Sequence, residues 1–66
     1  MNVTVNGQPV SIPDGVSVTG LLRHQDLGDR PCAVEVNRAL VPKRDHDEHI
    51  LSEGDAVEIV TLVGGG

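Results

Sequence analysis

The 66-residue chain contains no phenylalanine, tryptophan or tyrosine. Its core must be built from valine, leucine and isoleucine, and a deep cofactor pocket walled by aromatic rings is not expected. A single cysteine, Cys32, excludes an internal disulfide. No basic start leads into an apolar run, so export is not signalled and the cytoplasm is the expected compartment. No apolar stretch approaches the roughly 20 residues that cross a bilayer, and no segment has the pattern of a basic amphipathic helix, so no membrane partner is expected. Positive charge is scarce as well. Five Lys and Arg against ten Asp and Glu leave a net charge of −5, which disfavours nucleic acid and favours a partner with a basic surface. A chain this short makes one domain and buries only about 60% of the surface its unfolded form exposes, so its margin of stability is narrow.

What is present is β patterning. Val3 and Val5 alternate with polar residues, Asn6-Gly7 is the dipeptide favoured in two-residue hairpin turns, and Val10 and Ile12 resume the alternation. Pro13-Asp14-Gly15 makes a turn, after which Ser17 is placed to cap a helix and Val16 and Leu21 stand at hydrophobic-staple spacing. The spacing predicts a helix over about 18–27, with Val18, Leu21 and Leu22 on one face, Gly20 as its weak point and Gly28 as its stop. Val34 and Val36 mark a third strand, and Leu40-Val41 before Pro42 a short fourth one near an edge. Residues 43–49 form a polar connection, Ile50 and Leu51 return to the core, and Glu53-Gly54-Asp55 turns the chain again. Residues 57–63 make the most apolar strand. Val57 and Ile59 take one face and Val60 and Leu62 the other, the pattern of a central strand. The order is β-β-α-β-β-β. One helix covers one sheet face, which leaves Val60 and Leu62 as a candidate partner-docking surface.

Gly64-Gly65-Gly66 follows this strand directly. It is not a phosphate-cradling loop, which needs a following lysine and a helix N-terminus. Residues without a Cβ can thread a narrow channel and present an unhindered carboxylate, so the candidate chemical site is the main-chain carboxylate of Gly66, with Gly65 and Gly64 as the recognised tail. Ordering such a tail costs roughly 1–2 kcal/mol per residue, which docking of the body must offset. The expected division is a folded body over 1–63 and a flexible tail over 64–66. His46 and His49, amid Asp45, Asp47 and Glu48, have a spacing that could bring two imidazoles to one metal. A solvated connection between strands accounts for the same residues, and no metal site is assigned. Cys32 is taken as a small core or rim residue rather than a sulfur relay, and His24 as an exposed helix residue. Asp45, Asp47, Glu48, Glu53, Asp55 and Glu58 are six of the ten acidic residues, and no Lys or Arg follows Arg44. Steering toward a basic groove and a merely soluble surface both remain open for them.

The segments "AVEVNRALVP" and "GDAVEIVTLVGGG", with Gly-Gly at the end of this strand order, resemble the ThiS family of sulfur carriers in the biosynthesis of the thiamine thiazole. The resemblance covers essentially the whole chain. Its most specific parts are Asn37-Arg38, Val41-Pro42, Gly54-Asp55 and Gly65-Gly66. It implies an α+β, ubiquitin-like β-grasp fold: a mixed sheet with one main helix packed on one face and the last strand beside the first. It also implies a protein co-substrate rather than an enzyme, with no permanently bound cofactor. A ThiF-like adenylating enzyme would use Mg-ATP to adenylate the Gly66 carboxylate. A sulfur donor such as a cysteine desulfurase or a rhodanese-like protein would convert it to a thiocarboxylate (1-thioglycine), and thiazole synthase would take the sulfur. The alternatives are a molybdopterin-synthase-type sulfur carrier and a ubiquitin-like tagging or interaction module, in which Gly66 would end in an isopeptide bond to lysine.

Overall fold

In the computed structural model, residues 1–62 are described. The alternation at the start folds into the antiparallel pair β1 (Asn2–Val5) and β2 (Gln8–Ser11), with Val3 opposite Val10. Asn6 and Gly7 both take positive φ, 51° and 83°, the left-handed pair that matches strand twist in a two-residue hairpin. Helix α1 (Val18–His24) follows, then β3 (Cys32–Val36), β4 (Ala39–Val41), a 3₁₀ turn over Lys43–Asp45, and β5 (Ala56–Thr61). The strands form one five-stranded sheet in the order β2-β1-β5-β3-β4. β5 runs parallel to β1 and antiparallel to β3, so the sheet is mixed and its last strand lies beside its first, as the resemblance implies.

Among the described residues, twelve Val, Leu and Ile side chains form the core. Val18, Leu21 and Leu22 of α1 meet the inward residues of the strands, among them Val34 and Val57, and the helix covers one face of the sheet. All four leading N–H groups of α1 have acceptors. Val18 donates to the His49 carbonyl (2.9 Å), Thr19 to that of His46 (3.1 Å), Gly20 to the Ser17 hydroxyl (3.1 Å) and Leu21 to the Ser17 carbonyl (2.9 Å).

Several features depart from the sequence reading. The helix ends at His24, short of the expected Leu27. Asp26 rather than Gly28 stops it, taking φ 59°. The Leu27 N–H then reaches back to the Leu22 carbonyl (2.7 Å) and the Asp26 N–H to that of Arg23 (3.0 Å), a Schellman closure in which a short polar side chain tolerates the left-handed position. Gly20 is a close approach as well as a weak point, since a Cβ there would stand 2.9 Å from Cγ1 of Val16. The 43–49 connection is not wholly solvated. His46 is buried, and its Nε2 lies 3.0 Å from the Val41 carbonyl, which only accepts and so sets the proton on that nitrogen. Ile50 is 53% exposed while Leu51 is buried, because neighbours in an extended segment point to opposite sides and only one of them reaches the core. Strand β5 itself ends at Thr61, and Val63, expected as its last residue, lies outside the described residues.

Candidate docking face

The apolar β5 is held along both edges. β1 and β3 flank it, and the turn that follows each of these strands contributes an asparagine that continues the pairing. Asn6 Nδ2 donates to the Ile59 carbonyl (3.1 Å), and the Ile59 N–H donates to Asn6 Oδ1 (2.8 Å). On the other side the Ala56 N–H donates to Asn37 Oδ1 (3.0 Å), and the Asn37 N–H donates to the Ala56 carbonyl (2.7 Å). Asn37 Nδ2 also donates to Asp55 Oδ1 (3.0 Å), while Asp55 Oδ2 accepts from the Ser52 N–H (2.8 Å), which ties the turn containing Gly54 to the turn containing Asn37 and Arg38. Asn37 and Arg38 take φ 51° and 70°, so an asparagine here serves the turn's backbone and the strand's edge at once.

With β5 fixed, its parity is fixed. Val57 and Ile59 face the helix and are buried, while Val60 and Leu62 lie on the uncovered face at 60% and 54% exposure. The Leu62 N–H donates to the Pro31 carbonyl (2.9 Å), which anchors the chain just past the strand. Gly64, Gly65 and Gly66, the expected tail and its reactive end, lie outside the described residues. The same face carries residues that the sequence reading did not single out. Ala33 is opposite Val60, Glu35 is opposite Glu58, and on the far side of β3 Leu40 is opposite Glu35. Leu40 is 66% exposed. Its position beside the inward Val41 held the signal, since period two sends it outward; the pairing of Glu35 with Glu58 depends on register between distant segments.

Elsewhere a hollow of about 350 Å³ is lined by Thr19, Cys32, Lys43, His46 and Asp47 among others. Cys32 is half-buried as the first residue of β3, and its thiol donates to the Arg30 carbonyl (3.4 Å). Among the described residues no three His, Cys, Asp or Glu side chains come together as a metal would need. His24 is exposed, with Nε2 3.4 Å from the Ser11 carbonyl. No described helix is long and apolar enough to cross a membrane.

A mixed sheet of this order with one helix on one face and the last strand beside the first defines a β-grasp domain of the ubiquitin-like class. Within that class the chain belongs to the ThiS family, whose family model matches residues 3–66. It is similar to the crystal structure of the thiamine biosynthesis protein ThiS from Geobacter metallireducens, with 33% identity, a TM-score of 0.83 and full coverage of both chains. It is 27% identical over 66 residues to the sulfur carrier protein ThiS of Escherichia coli K12, again covering all of both. It is also 33% identical over its whole length to a segment of a thiazole synthase from Paramagnetospirillum magneticum, spanning 20% of that protein. The family is one of sulfur carriers for thiamine biosynthesis.

Proposed function

We propose that this chain carries sulfur as a thiocarboxylate on Gly66 and delivers it to thiazole synthase in the cytoplasm. The observation that carries the reading is the form of β5: a central strand pinned on both edges, bare and apolar at Val60 and Leu62 on its open face, leading into the terminal glycines. In this reading the body over 1–63 docks through Val60 and Leu62, and the tail over 64–66 enters the partner's site. The chemistry accounts for the residue choice. A carboxylate is a poor electrophile. A ThiF-like adenylating enzyme lets a Gly66 oxygen displace pyrophosphate from Mg-ATP, giving an acyl adenylate whose AMP is a good leaving group. The persulfide of a desulfurase or rhodanese-like donor then attacks the acyl carbon and AMP departs, leaving an acyl disulfide to the donor. A second thiol cleaves that S–S bond, forming a disulfide with the donor and freeing the Gly66 thiocarboxylate, whereas free sulfide would give the thiocarboxylate directly. Side-chain bulk next to that carbon would obstruct both steps, and glycine has none. That a protein named thiazole synthase contains a segment similar to this entire chain supports the pairing of carrier and synthase.

The test is intact-mass analysis after incubation with the adenylating enzyme, Mg-ATP and a sulfide source. The mass should rise by the difference between sulfur and oxygen, with fragmentation placing the change on Gly66. Cys32→Ser should show the same gain, because the transferred sulfur sits on the main chain. An unchanged mass in the presence of an enzyme shown to be active would sink the proposal, and loss of the gain in a folded Cys32→Ser variant would move the sulfur to the side chain.

A further inference from the structure

The register of β3 and β5 places Glu35 directly opposite Glu58 on the open face. Both are exposed. Opposed side chains of an antiparallel pair have Cβ atoms about 4.5–5.5 Å apart, and like charges so placed repel. Among the described residues no ion pair engages either carboxylate; the one present joins the Met1 amine to Asp14. Toward β4 and the end of β5 the surroundings are apolar, while on the β1 side Thr4 is opposite Ala56 and the Asn6 amide bonds the backbone of Ile59. Leu40 stands beside Glu35, Ala33 and Val60 form the next pair on the same face, and Leu62 lies beyond. The free protein gains nothing from two unpaired carboxylates at the border of its apolar patch, whereas a cation brought by a partner would meet both.

We propose that Glu35 and Glu58 together seat an arginine of the adenylating enzyme, whose guanidinium lies between the two carboxylates while Leu40, Val60 and Leu62 take the apolar surface around it. This rests on the reading of the open face as the enzyme's docking face. Arginine fits better than lysine. Its planar fork of donors can serve two carboxylates at once, its weaker hydration makes it easier to desolvate, and its stem and flat face pack against apolar neighbours. The charge of the chain, −5 with no Lys or Arg after Arg44, complements such a partner.

The inference separates stability from binding, because removing one carboxylate relieves repulsion in the free protein and removes a contact in the complex. Thermal melts and binding titrations at two salt concentrations, against the ThiF-like enzyme of the source organism, test it on Glu35→Gln, Glu58→Gln and the double variant, with Leu62→Asp as control. Each single variant should melt no lower than the parent and bind about tenfold more weakly, with a shallower salt dependence. In a double-mutant cycle, one arginine-to-alanine change in the enzyme should weaken binding of the parent but not of the double variant. If Leu62→Asp weakens binding and the double variant does not, the face docks without a seated cation and the inference fails alone. If neither weakens binding, the docking reading fails and takes the inference with it. Affinity lost only together with thermal stability, or a scan that finds no coupled arginine, also overturns it.

Discussion

Placing an aspartate at Ile59 or at Leu62 puts the same charge on opposite faces of one strand. Ile59 is 7% exposed and packed in the core. Truncating such a side chain costs about 2–5 kcal/mol, and a buried, unpaired carboxylate adds several more. A domain of this size holds about 3–10 kcal/mol in total at 0.05–0.15 kcal/mol per residue. Ile59→Asp should therefore be unfolded or close to it at 25 °C. Leu62 is 54% exposed, and a change there should move folding stability by no more than about 0.5 kcal/mol. As the apolar anchor of an interface, however, its loss should cost about 2 kcal/mol or more, roughly a thirtyfold drop in affinity. Urea and thermal denaturation followed by circular dichroism give the first quantity, and calorimetric titration with the adenylating enzyme gives the second. The reasoning is refuted if Leu62→Asp unfolds the domain while Ile59→Asp stays folded and only loses the partner, for the two faces would then be exchanged.

Asn37→Ala should cost about 2–3 kcal/mol in urea unfolding, since alanine is less at ease than asparagine at positive φ and the change leaves the Ala56 N–H without its acceptor and Asp55 Oδ1 without its donor; a loss below about 0.5 kcal/mol would show that the turn is not what holds that edge of β5. Asp26→Gly should stabilise the protein by about 0.5–1 kcal/mol, because glycine takes the left-handed cap without strain and a carboxylate is removed from the negative end of α1. That gain corresponds to a few degrees in melting temperature for a domain of this length, and a fall instead would place the benefit of Asp26 in its side chain.

The parts of the fold that the sequence made legible are those set by short-range chemistry. Period-two alternation marked the strands, Asn6-Gly7 the first turn, Ser17 the helix cap, and the apolar residues of both parities in β5 its central place. What escaped needed long-range information. The run around His46 is polar in composition, yet one of its side chains turns inward because the end of β4 supplies a carbonyl to meet it. Gly28 is the more obvious helix stop, but the Asp26 backbone closes the helix first. Ile50 and Leu51 are equally apolar, and only the strand-like extension there decides which one is buried. The open face was legible through Val60 and Leu62, whereas Glu35 and Glu58 meet only once β3 and β5 are in register. The role given to Gly66 came from the family resemblance together with the chemistry of an unhindered carboxylate.

The double anchoring of β5 has a mechanical side. The strand is bonded to β1 along one edge and to β3 along the other, with the amides of Asn6 and Asn37 adding a hold on each side. A pull applied through the residues after Leu62 and directed along the strand loads these rungs in shear, many at a time, where an edge strand peeled sideways would release them one by one. The load also divides between two neighbouring strands. In the proposed function, a partner that draws the end of this chain into a channel pulls on a strand bonded along both edges, and the load falls on the sheet rather than on a single edge pairing.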